Sequence, residues 1–184
     1  MGFDHNKTMV LLNVYPDLQV NLPLVSWLLR HRLLREDETW DDAHVKWYCQ
    51  KGFTLAMNRA VKEIALKAPP EIDTFLFVEK DIRPDLKGGM TDAILTTDGD
   101  VVAVRYETAN DRGAWSSAHA MHTGMFKVRR AVLEAMAPGP WFMERYSADG
   151  TTMEACNCMG FAEKVIAAGF KIVRAGRAWH NVKE

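Results

Sequence analysis

The sequence predicts an α/β fold with a mixed, mostly parallel central sheet flanked by helices. Short apolar runs with strand composition, such as Thr74–Glu79 (TFLFVE), alternate along the chain with segments of helical periodicity, such as residues 54–67. The length of 184 residues suits one domain, so we predict a single compact unit over residues 1–184. In such folds, ligands bind beyond the carboxyl ends of the strands.

The first predicted strand and helix have clear local signals. Residues 9–14 (MVLLNV) form an apolar run that Tyr15-Pro16-Asp17 ends, which predicts a buried strand. Asn21 is a suitable N-cap and Pro23 suits the first turn of the helix that follows. Residues 36–48 are acidic at their start and carry aromatic residues, and we predict an irregular surface segment there.

Proline and glycine mark most of the later boundaries. Pro69-Pro70 ends the helix over 54–67, Arg83-Pro84-Asp85 begins a helix that runs towards Thr96, and Asp98-Gly99 is a turn. The remaining predicted elements are, in chain order, a strand over 101–106, a long functional loop over 107–120, a strand over 123–128, a helix over 129–136, a helix over 152–168 that Gly169 ends, and a strand over 171–174 with His180 in the tail.

The composition excludes several classes of protein. Hydrophobic residues make up 48% of the chain and charged residues 26%, which is ordinary for a globular protein and not for a disordered one. No apolar run approaches the roughly 20 residues that cross a bilayer, and the N-terminus lacks a signal-peptide profile. Three cysteines do not make a disulfide framework, so we expect a cytoplasmic protein, in the host cytoplasm if it is viral.

Glu79 and Asp81 are the strongest candidates for a functional site. Two carboxylates two residues apart, at the end of a buried strand, can hold a hard divalent cation through oxygen. Such a cation keeps several waters and binds substrate phosphates. A solvated turn after the strand is the alternative interpretation.

Residues 75–85 (FLFVEKDIRPD) resemble the strand and metal loop of GT-A glycosyltransferases of the family-2 type, whose DxD-type motif binds Mn²⁺ or Mg²⁺ with a nucleotide-sugar diphosphate. Other segments resemble this family in the same order: 11–16 (LLNVYP), 52–61 (GFTLAMNRAV), 123–136 with 140–142 (PWF), and 168–170 (AGF) followed by His180. The resemblance implies a GT-A, Rossmann-like fold, with a nucleotide-sugar half over about 9–106 and an acceptor half over about 107–184.

Carried over by position, the resemblance assigns roles to individual residues. Asp81 and His180 would be metal ligands, and Glu79 would contact the metal or the ribose. The residues that would bind the nucleotide sugar, besides Glu79, are Asn13, Tyr15, Asn58 and Arg59.

The catalytic base departs from the family pattern. Many inverting members have a Glu-Asp pair at the start of the helix before AGF, and Asn157-Cys158 stands at that position. An Asn side chain cannot accept a proton at neutral pH. Glu154 would serve as the base if the helix already includes Glu154, because residues i and i+3 lie on the same face of a helix. Otherwise the base is Asp111 or Asp149, the enzyme is retaining, or the domain is inactive.

The resemblance therefore implies a metal-dependent transfer of sugar from a nucleotide-sugar donor, with a UDP-sugar favoured, to a hydroxyl acceptor. One acceptor hypothesis is a hydroxymethylated pyrimidine in viral DNA, because Trp115 could stack on a flipped base beside a basic groove. The residues expected to line that groove are Arg105, Arg112, Lys127, Arg129 and Arg130. No membrane partner is expected.

Three alternatives stay open. The first is a non-catalytic nucleotide-sugar or glycan binding domain on a degenerate GT-A fold. The second is a metal-dependent hydrolase or nucleotidyltransferase, although residues 11–20 lack the glycines of a phosphate loop. The third is a zinc site, for which the candidate ligands are His119, His122, Cys156 and Cys158, at a spacing that matches no known finger. Buried thiols and loop histidines are the ordinary interpretation of those four residues.

Overall fold

The computed structural model describes residues 4–13, 20–33, 45–48, 52–107 and 121–180. Within these ranges the strands are β1 (Thr8–Asn13), β2 (Val45–Tyr48), β3 (Thr74–Glu79), β4 (Ile82–Pro84), β5 (Val101–Glu107), β6 (Met125–Arg129), β7 (Arg145–Tyr146), β8 (Met153–Ala155) and β9 (Ile172–His180). The α-helices are α1 (Leu22–Arg30), α2 (Phe53–Arg59), α3 (Ala93–Thr96), α4 (Arg130–Ala135) and α5 (Asn157–Ala167).

The described strands form a seven-stranded sheet in the order β2-β1-β3-β6-β5-β9-β4, with β7 and β8 paired apart from it. β1 is parallel to β2 and β3, and β5 is parallel to β9, whereas β6 and β4 run antiparallel to their neighbours. Most strands therefore run in one direction, which confirms the predicted mixed, mostly parallel sheet. The carboxyl ends of β1, β3 and β5 lie at one edge, which we call the carboxyl edge.

Helices cover both faces of the sheet, which explains why its central strands are continuous apolar runs. Along β3, Phe75 and Phe77 pack into one core with α2, α4 and α5, whereas Leu76 and Val78 pack into another with α1 and α3. The Phe77 and Phe126 rings stack at a centroid distance of 4.8 Å. None of the helices in the described ranges is long and apolar enough to span a bilayer.

Several local predictions are confirmed. Asn21 caps α1, because its side chain accepts a hydrogen bond from the Leu24 N–H at 2.8 Å, and Pro23 lies in the first turn. The helix predicted over 54–67 begins as α2 and continues through a π-helical turn (Ala60–Ile64) and a 3-10 turn (Ala65–Lys67). Gly169 follows α5 with φ of +86°, a conformation that suits glycine after a helix.

Two other predictions, for residues 45–48 and for a helix that begins at Arg83, are wrong. Val45–Tyr48 is not irregular, because it pairs with β1 as an edge strand of the sheet. No helix begins at Arg83, because Ile82–Pro84 pairs with β9, and the Asp85 carboxylate then accepts N–H bonds from Lys87 and Gly88 in a turn. Proline is tolerated there because β4 is the outermost strand.

The helix predicted over 152–168 begins later than expected. Met153–Ala155 pairs with Arg145–Tyr146 as the small hairpin β7-β8, and α5 begins at Asn157 with Cys156 as its N-cap. The last strand is longer than predicted, since β9 runs from Ile172 to His180. His180 is therefore part of the sheet and not of a frayed tail.

Candidate functional site

The acidic segment after β3 is fixed at the carboxyl edge by its own backbone. Glu79 is the last residue of β3 and lies opposite Asn13, the last residue of β1. The Glu79 N–H donates to the Gly124 carbonyl at 2.7 Å, and the Lys80 N–H donates to the Asn13 carbonyl at 3.0 Å. The two neighbouring strands thus determine where the Glu79 and Asp81 carboxylates leave the sheet.

Asn21 holds the other side of this segment, a role that the sequence analysis missed. Besides capping α1, its side-chain N–H groups donate to the carbonyls of Lys80 and Ile82, both at 2.7 Å. These partners lie 59 and 61 positions away, so only the folded chain could show them. The segment 80–82 is thus bonded to β1 and to the start of α1.

The Glu79 and Asp81 carboxylates both act on Tyr106, a buried residue of β5. Burial raises the pKa of the Tyr106 phenol well above its ordinary value, and the negative charges of Glu79 and Asp81 raise it further. The phenol donates to the Met125 carbonyl at 3.3 Å. A Cβ at Gly124 would lie only 2.9 Å from the Tyr106 oxygen, so glycine is needed at this close approach.

The three predicted metal ligands come to the same edge at the level of the backbone. β4 and β9 pair with Ile82 opposite His180, which brings His180 beside the residue that follows Asp81. The position of the His180 side chain lies outside the description. Among the side chains that are described, no group of three His, Cys, Asp or Glu residues stands where it could ligate a metal ion.

The predicted nucleotide-binding residues divide into three groups. Asn13 is buried at the end of β1, beside Glu79, and its contact with the nucleotide stays a prediction. Tyr15 lies outside the described residues. Arg59 is more than half exposed on α2 and forms an ion pair with Glu63 at 3.8 Å.

Asn58 holds the 140–142 segment in place. Its amide donates to the carbonyls of Thr54 and Phe142, and its oxygen accepts from the N–H groups of Trp141 and Phe142, at 2.7 to 3.0 Å. These four bonds use the full capacity of the amide. Its predicted contact with the nucleotide stays a prediction, while the bonds observed are structural.

The predicted catalytic bases are not on the face of α5. Glu154 lies on β8, before α5 begins, and pairs with Arg145 at 3.6 Å, so the condition for sharing a face with Asn157 is not met. Asp149 lies in the turn between β7 and β8 and accepts bonds from Ser147 and Thr151. The hydrogen bond from the Ser147 hydroxyl contributes most to lowering the pKa of Asp149 to about 2, followed by those from the N–H and hydroxyl of Thr151. Asp111 lies outside the described residues.

Lys127, Arg129 and Arg130, three of the residues predicted to line the basic groove, lie away from the acidic segment. β6 runs antiparallel to β3, so Arg129 lies opposite Thr74, at the far edge from Glu79. There Lys127 donates to the carbonyls of Leu95 and Thr97, and burial lowers its pKa to about 8.

The other members of the predicted groove divide between the two edges. Arg129 pairs with Asp98, and Arg130 donates to main-chain carbonyls at Ala68, Pro69 and Ile72. Of the groove members that the structure describes, Arg105 lies towards the carboxyl end of β5, near the carboxyl edge. Arg112 and Trp115 lie outside the described residues.

The zinc alternative loses its thiol ligands. Cys156 and Cys158 form a disulfide, so they are not the free thiols that the ordinary interpretation assumed either. The Cys158 sulfur lies 3.9 Å from His122 Nδ1. Among the aromatic residues of the second half of the chain, Trp141 is buried and donates to the Leu133 carbonyl, which makes it a core residue, whereas Tyr146 is 48% exposed.

A second polar cluster, which the sequence did not predict, lies where β6, α2 and α5 begin. The Thr54 hydroxyl donates to Glu144 at 2.6 Å, and the Asn157 amide lies 3.4 Å from that hydroxyl. The Thr123 hydroxyl lies 3.4 Å from the Asn157 amide oxygen. We call Thr54, Thr123, Glu144 and Asn157 the Glu144 cluster. Its members are far apart in sequence, so no local motif could reveal it.

The fold is similar to that of known glycosyltransferases. No protein-family model and no curated protein sequence matches the chain. Several solved structures match nearly its whole length. A197 from STIV has a TM-score of 0.60 and 16% identity, over 96% of this chain and 86% of that chain. A mutant Drosophila β-1,4-galactosyltransferase 7 in complex with manganese, UDP-Gal and xylobiose has a TM-score of 0.52 and 14% identity, over 91% of this chain and 64% of that chain, and a glycosyltransferase involved in glycosylation of the major capsid of PBCV-1 has a TM-score of 0.51 and 12% identity, over 96% and 94%. At these identities the likeness shows the fold alone, which is GT-A-like.

Proposed function

We propose that the protein is a metal-dependent glycosyltransferase, which moves a sugar from a nucleotide-sugar donor to a hydroxyl acceptor. The observation that carries the proposal is the position of Glu79 and Asp81, which leave β3 at the carboxyl edge of a GT-A-like sheet. Ligands of open α/β sheets bind at this edge, and carboxylate oxygens are the donors that Mn²⁺ and Mg²⁺ prefer.

The residues present suit a divalent cation. After burial, the negative charges of Glu79 and Asp81 both raise the pKa of the Tyr106 phenol, so both charges act in the neighbourhood of that residue. His180, on the strand that pairs with β4, would add a nitrogen ligand. Glu79, Asp81 and His180 would hold the cation, which when bound supplies positive charge that stabilises the leaving diphosphate.

The donor is proposed to be a nucleotide sugar with UDP as the favoured nucleotide. Support comes from the similar structure that contains manganese and UDP-Gal, since it has the same fold. Asn13, beside Glu79 at the end of β1, would contact the nucleotide. In this proposal the donor occupies the half of the chain up to about residue 106 and the acceptor the half after it.

The acceptor is less constrained by the described residues. A hydroxymethylated pyrimidine in viral DNA stays a hypothesis, but Lys127, Arg129 and Arg130 no longer support it because they lie at the opposite edge. A non-catalytic binding domain stays the alternative function, favoured by the amide of Asn157 in place of a base. Binding of donor without turnover would distinguish it from a transferase.

The test is a thermal-shift panel of UDP-, GDP-, CDP- and dTDP-sugars, each with and without Mn²⁺. A donor at 100 times its Kd adds about 2.7 kcal/mol to stability, which raises Tm by about 5–10 °C in a domain of this size. We expect one nucleotide class to raise Tm, and only with Mn²⁺.

Two variants test whether the metal ion binds at Asp81. Asp81→Asn removes a charged ligand and should abolish the Mn²⁺-dependent shift. Asp73→Asn, an exposed carboxylate before the amino end of β3, is the matched control and should keep it. An Asp81→Asn protein with the wild-type shift would contradict the proposed metal site, and the lack of any shift in wild type would contradict the proposed function.

A further inference from the structure

Glu144 is an exposed carboxylate that is oriented by two neutral hydroxyl groups. Thr54, at the start of α2, donates to one of its oxygens at 2.6 Å, and Tyr146, in β7, donates to the other at 3.0 Å. In the part of the chain that is described, no cationic side chain pairs with Glu144. Among the described residues, its negative charge is therefore positioned by neutral donors.

The other carboxylates on this surface have different surroundings. Glu154 and Glu163 both pair with Arg145, at 3.6 and 3.2 Å. Asp149 is bonded within its own turn, and its pKa of about 2 makes it a weak base. Of these carboxylates, Glu144 is the one that the described residues orient from two sides by neutral hydroxyl groups.

A series of polar contacts connects Glu144 to the acidic segment. The Glu79 N–H donates to the carbonyl of the residue that precedes β6, and Thr123 comes directly before that residue. From Thr123 the contacts continue through Asn157 and Thr54 to Glu144. The cluster therefore lies beside the carboxyl edge, on the side of β6, α2 and α5.

The backbone that carries Glu144 is held rigidly on one side. A Cβ at Gly160 would clash with the Met143 carbonyl, so α5 packs directly against the residue before Glu144. Asn58 bonds the backbone of Trp141 and Phe142 just upstream. A carboxylate on so well fixed a segment is preorganised for a defined role.

The surface around Glu144 also offers apolar contact. Leu55, Met143, Tyr146 and Met153 are each between 39% and 52% exposed, and Tyr146 lies opposite Met153 in the β7-β8 hairpin. A carboxylate next to an aromatic ring and apolar side chains suits a ligand with both hydroxyl groups and an apolar face. A glycoside has that chemistry.

We propose that Glu144 is the general base of the transfer and that the surface around it binds the acceptor, a hydroxyl group of a glycoside. The inference rests on the proposed function. Glu144 would take the proton of the acceptor hydroxyl as its oxygen forms the bond to the anomeric carbon of the donor. The bond from that carbon to the diphosphate breaks, and the diphosphate leaves with the electron pair. This single displacement inverts the anomeric configuration.

The test compares wild type with Glu144→Gln, using the nucleotide sugar that raises Tm in the donor panel and water as the acceptor. Because Gln keeps the shape but cannot take a proton, donor hydrolysis should fall by about 10²- to 10⁴-fold. The Mn²⁺-dependent thermal shift should remain. Tyr146→Phe, which removes one orienting bond, should give a smaller loss of rate with donor binding unchanged.

The pH profile separates a base from a merely structural carboxylate. Wild-type hydrolysis should fall towards acidic pH as the carboxylate is protonated, and the residual rate of Glu144→Gln should lack that fall. Tyr146 donates to Glu144, and the neighbouring Arg145 pairs with Glu154 and Glu163. The hydrogen bond to Glu144 raises the pKa of the Tyr146 phenol, so that group keeps its proton in the acidic range.

Variants of other carboxylates serve as controls for Glu144→Gln. Glu163→Gln, an exposed carboxylate on α5, should keep the wild-type rate. Undiminished hydrolysis in Glu144→Gln, or a loss in Glu154→Gln instead, would overturn the inference while leaving the proposed function intact. Donor binding without any hydrolysis in wild type would also overturn it. The lack of donor binding in wild type would refute the proposed function itself, which is a different result.

Discussion

Asp149 shows how a tight turn can keep a carboxyl group ionised. Its oxygen accepts bonds from the Ser147 hydroxyl and from the N–H and hydroxyl of Thr151. All of these bonds favour the charged form, so the pKa falls from 3.8 to about 2. We therefore interpret Asp149 as the residue that shapes the β7-β8 turn, and not as a base.

The lowered pKa predicts a specific dependence of stability on pH. The unfolded chain binds the proton near pH 4 and the folded chain only near pH 2, so the contribution of Asp149 is complete above pH 4 and is lost as pH falls towards 2. The free energies of unfolding of wild type and Asp149→Asn, measured with urea, should therefore differ most at pH 5 and become similar towards pH 2.5.

Glu71→Gln is the control for this prediction, since Glu71 is exposed and no described residue donates to its carboxylate. The difference in free energy of unfolding between Glu71→Gln and wild type should not shrink in this way as the pH falls. A difference between wild type and Asp149→Asn that stays constant from pH 5 to pH 2.5 would mean that the turn does not hold the charge.

At the scale of elements, Asn58 joins α2 to the segment before β7. Its four hydrogen bonds connect the helix with the backbone of Trp141 and Phe142, whose rings belong to the core. Asn58→Ala would leave those backbone groups without partners, which costs about 1–3 kcal/mol. Thermal unfolding should show Tm lowered by about 2–10 °C.

Glu63→Ala provides the comparison on the same helical segment. Glu63 and Arg59 are both more than half exposed, and a surface ion pair of this kind contributes under about 1 kcal/mol. If Asn58→Ala lowers Tm no more than Glu63→Ala does, the side-chain bonds of Asn58 do not support the fold. The nucleotide-binding prediction for Asn58 would then regain weight.

The elements that the sequence predicted correctly are those with strong local signals. β1 and β3 are apolar runs buried on both faces, and α1 has Asn21 and Pro23 at its start. β4 and the β7-β8 hairpin were missed because short strands depend on partners that periodicity cannot show. Ile82–Pro84, for example, is a strand only because β9, almost a hundred residues later, pairs with it.

The same distinction separates the two parts of the candidate site. Glu79 and Asp81 were recognised because they are close in sequence and follow a buried strand. Glu144 was missed because Thr54, which orients it, lies 90 positions away, and nothing in the residues around Glu144 marks it. Glu154 was favoured because α5 was expected to begin at about residue 152, whereas it begins at Asn157.

At the scale of the whole molecule, the two edges of the sheet have different chemistry. The carboxyl edge holds Glu79 and Asp81 beside the end of β1, with the Glu144 cluster next to it. At the opposite edge, Lys127 and Arg130 are engaged with main-chain carbonyls and thereby support the structure. We therefore propose that the metal and the donor bind at the carboxyl edge.

The measurement that tests this claim most directly is paramagnetic broadening by Mn²⁺ in two-dimensional amide NMR spectra, recorded with UDP and with Mg²⁺ as the diamagnetic reference. Substoichiometric Mn²⁺ should broaden the amides of residues 79–82 and of Gly124 most strongly, and those of Arg129 and Arg130, at the far end of β6, least. Broadening centred on residues 127–130, or spread evenly over the chain, would contradict a metal site at the carboxyl edge.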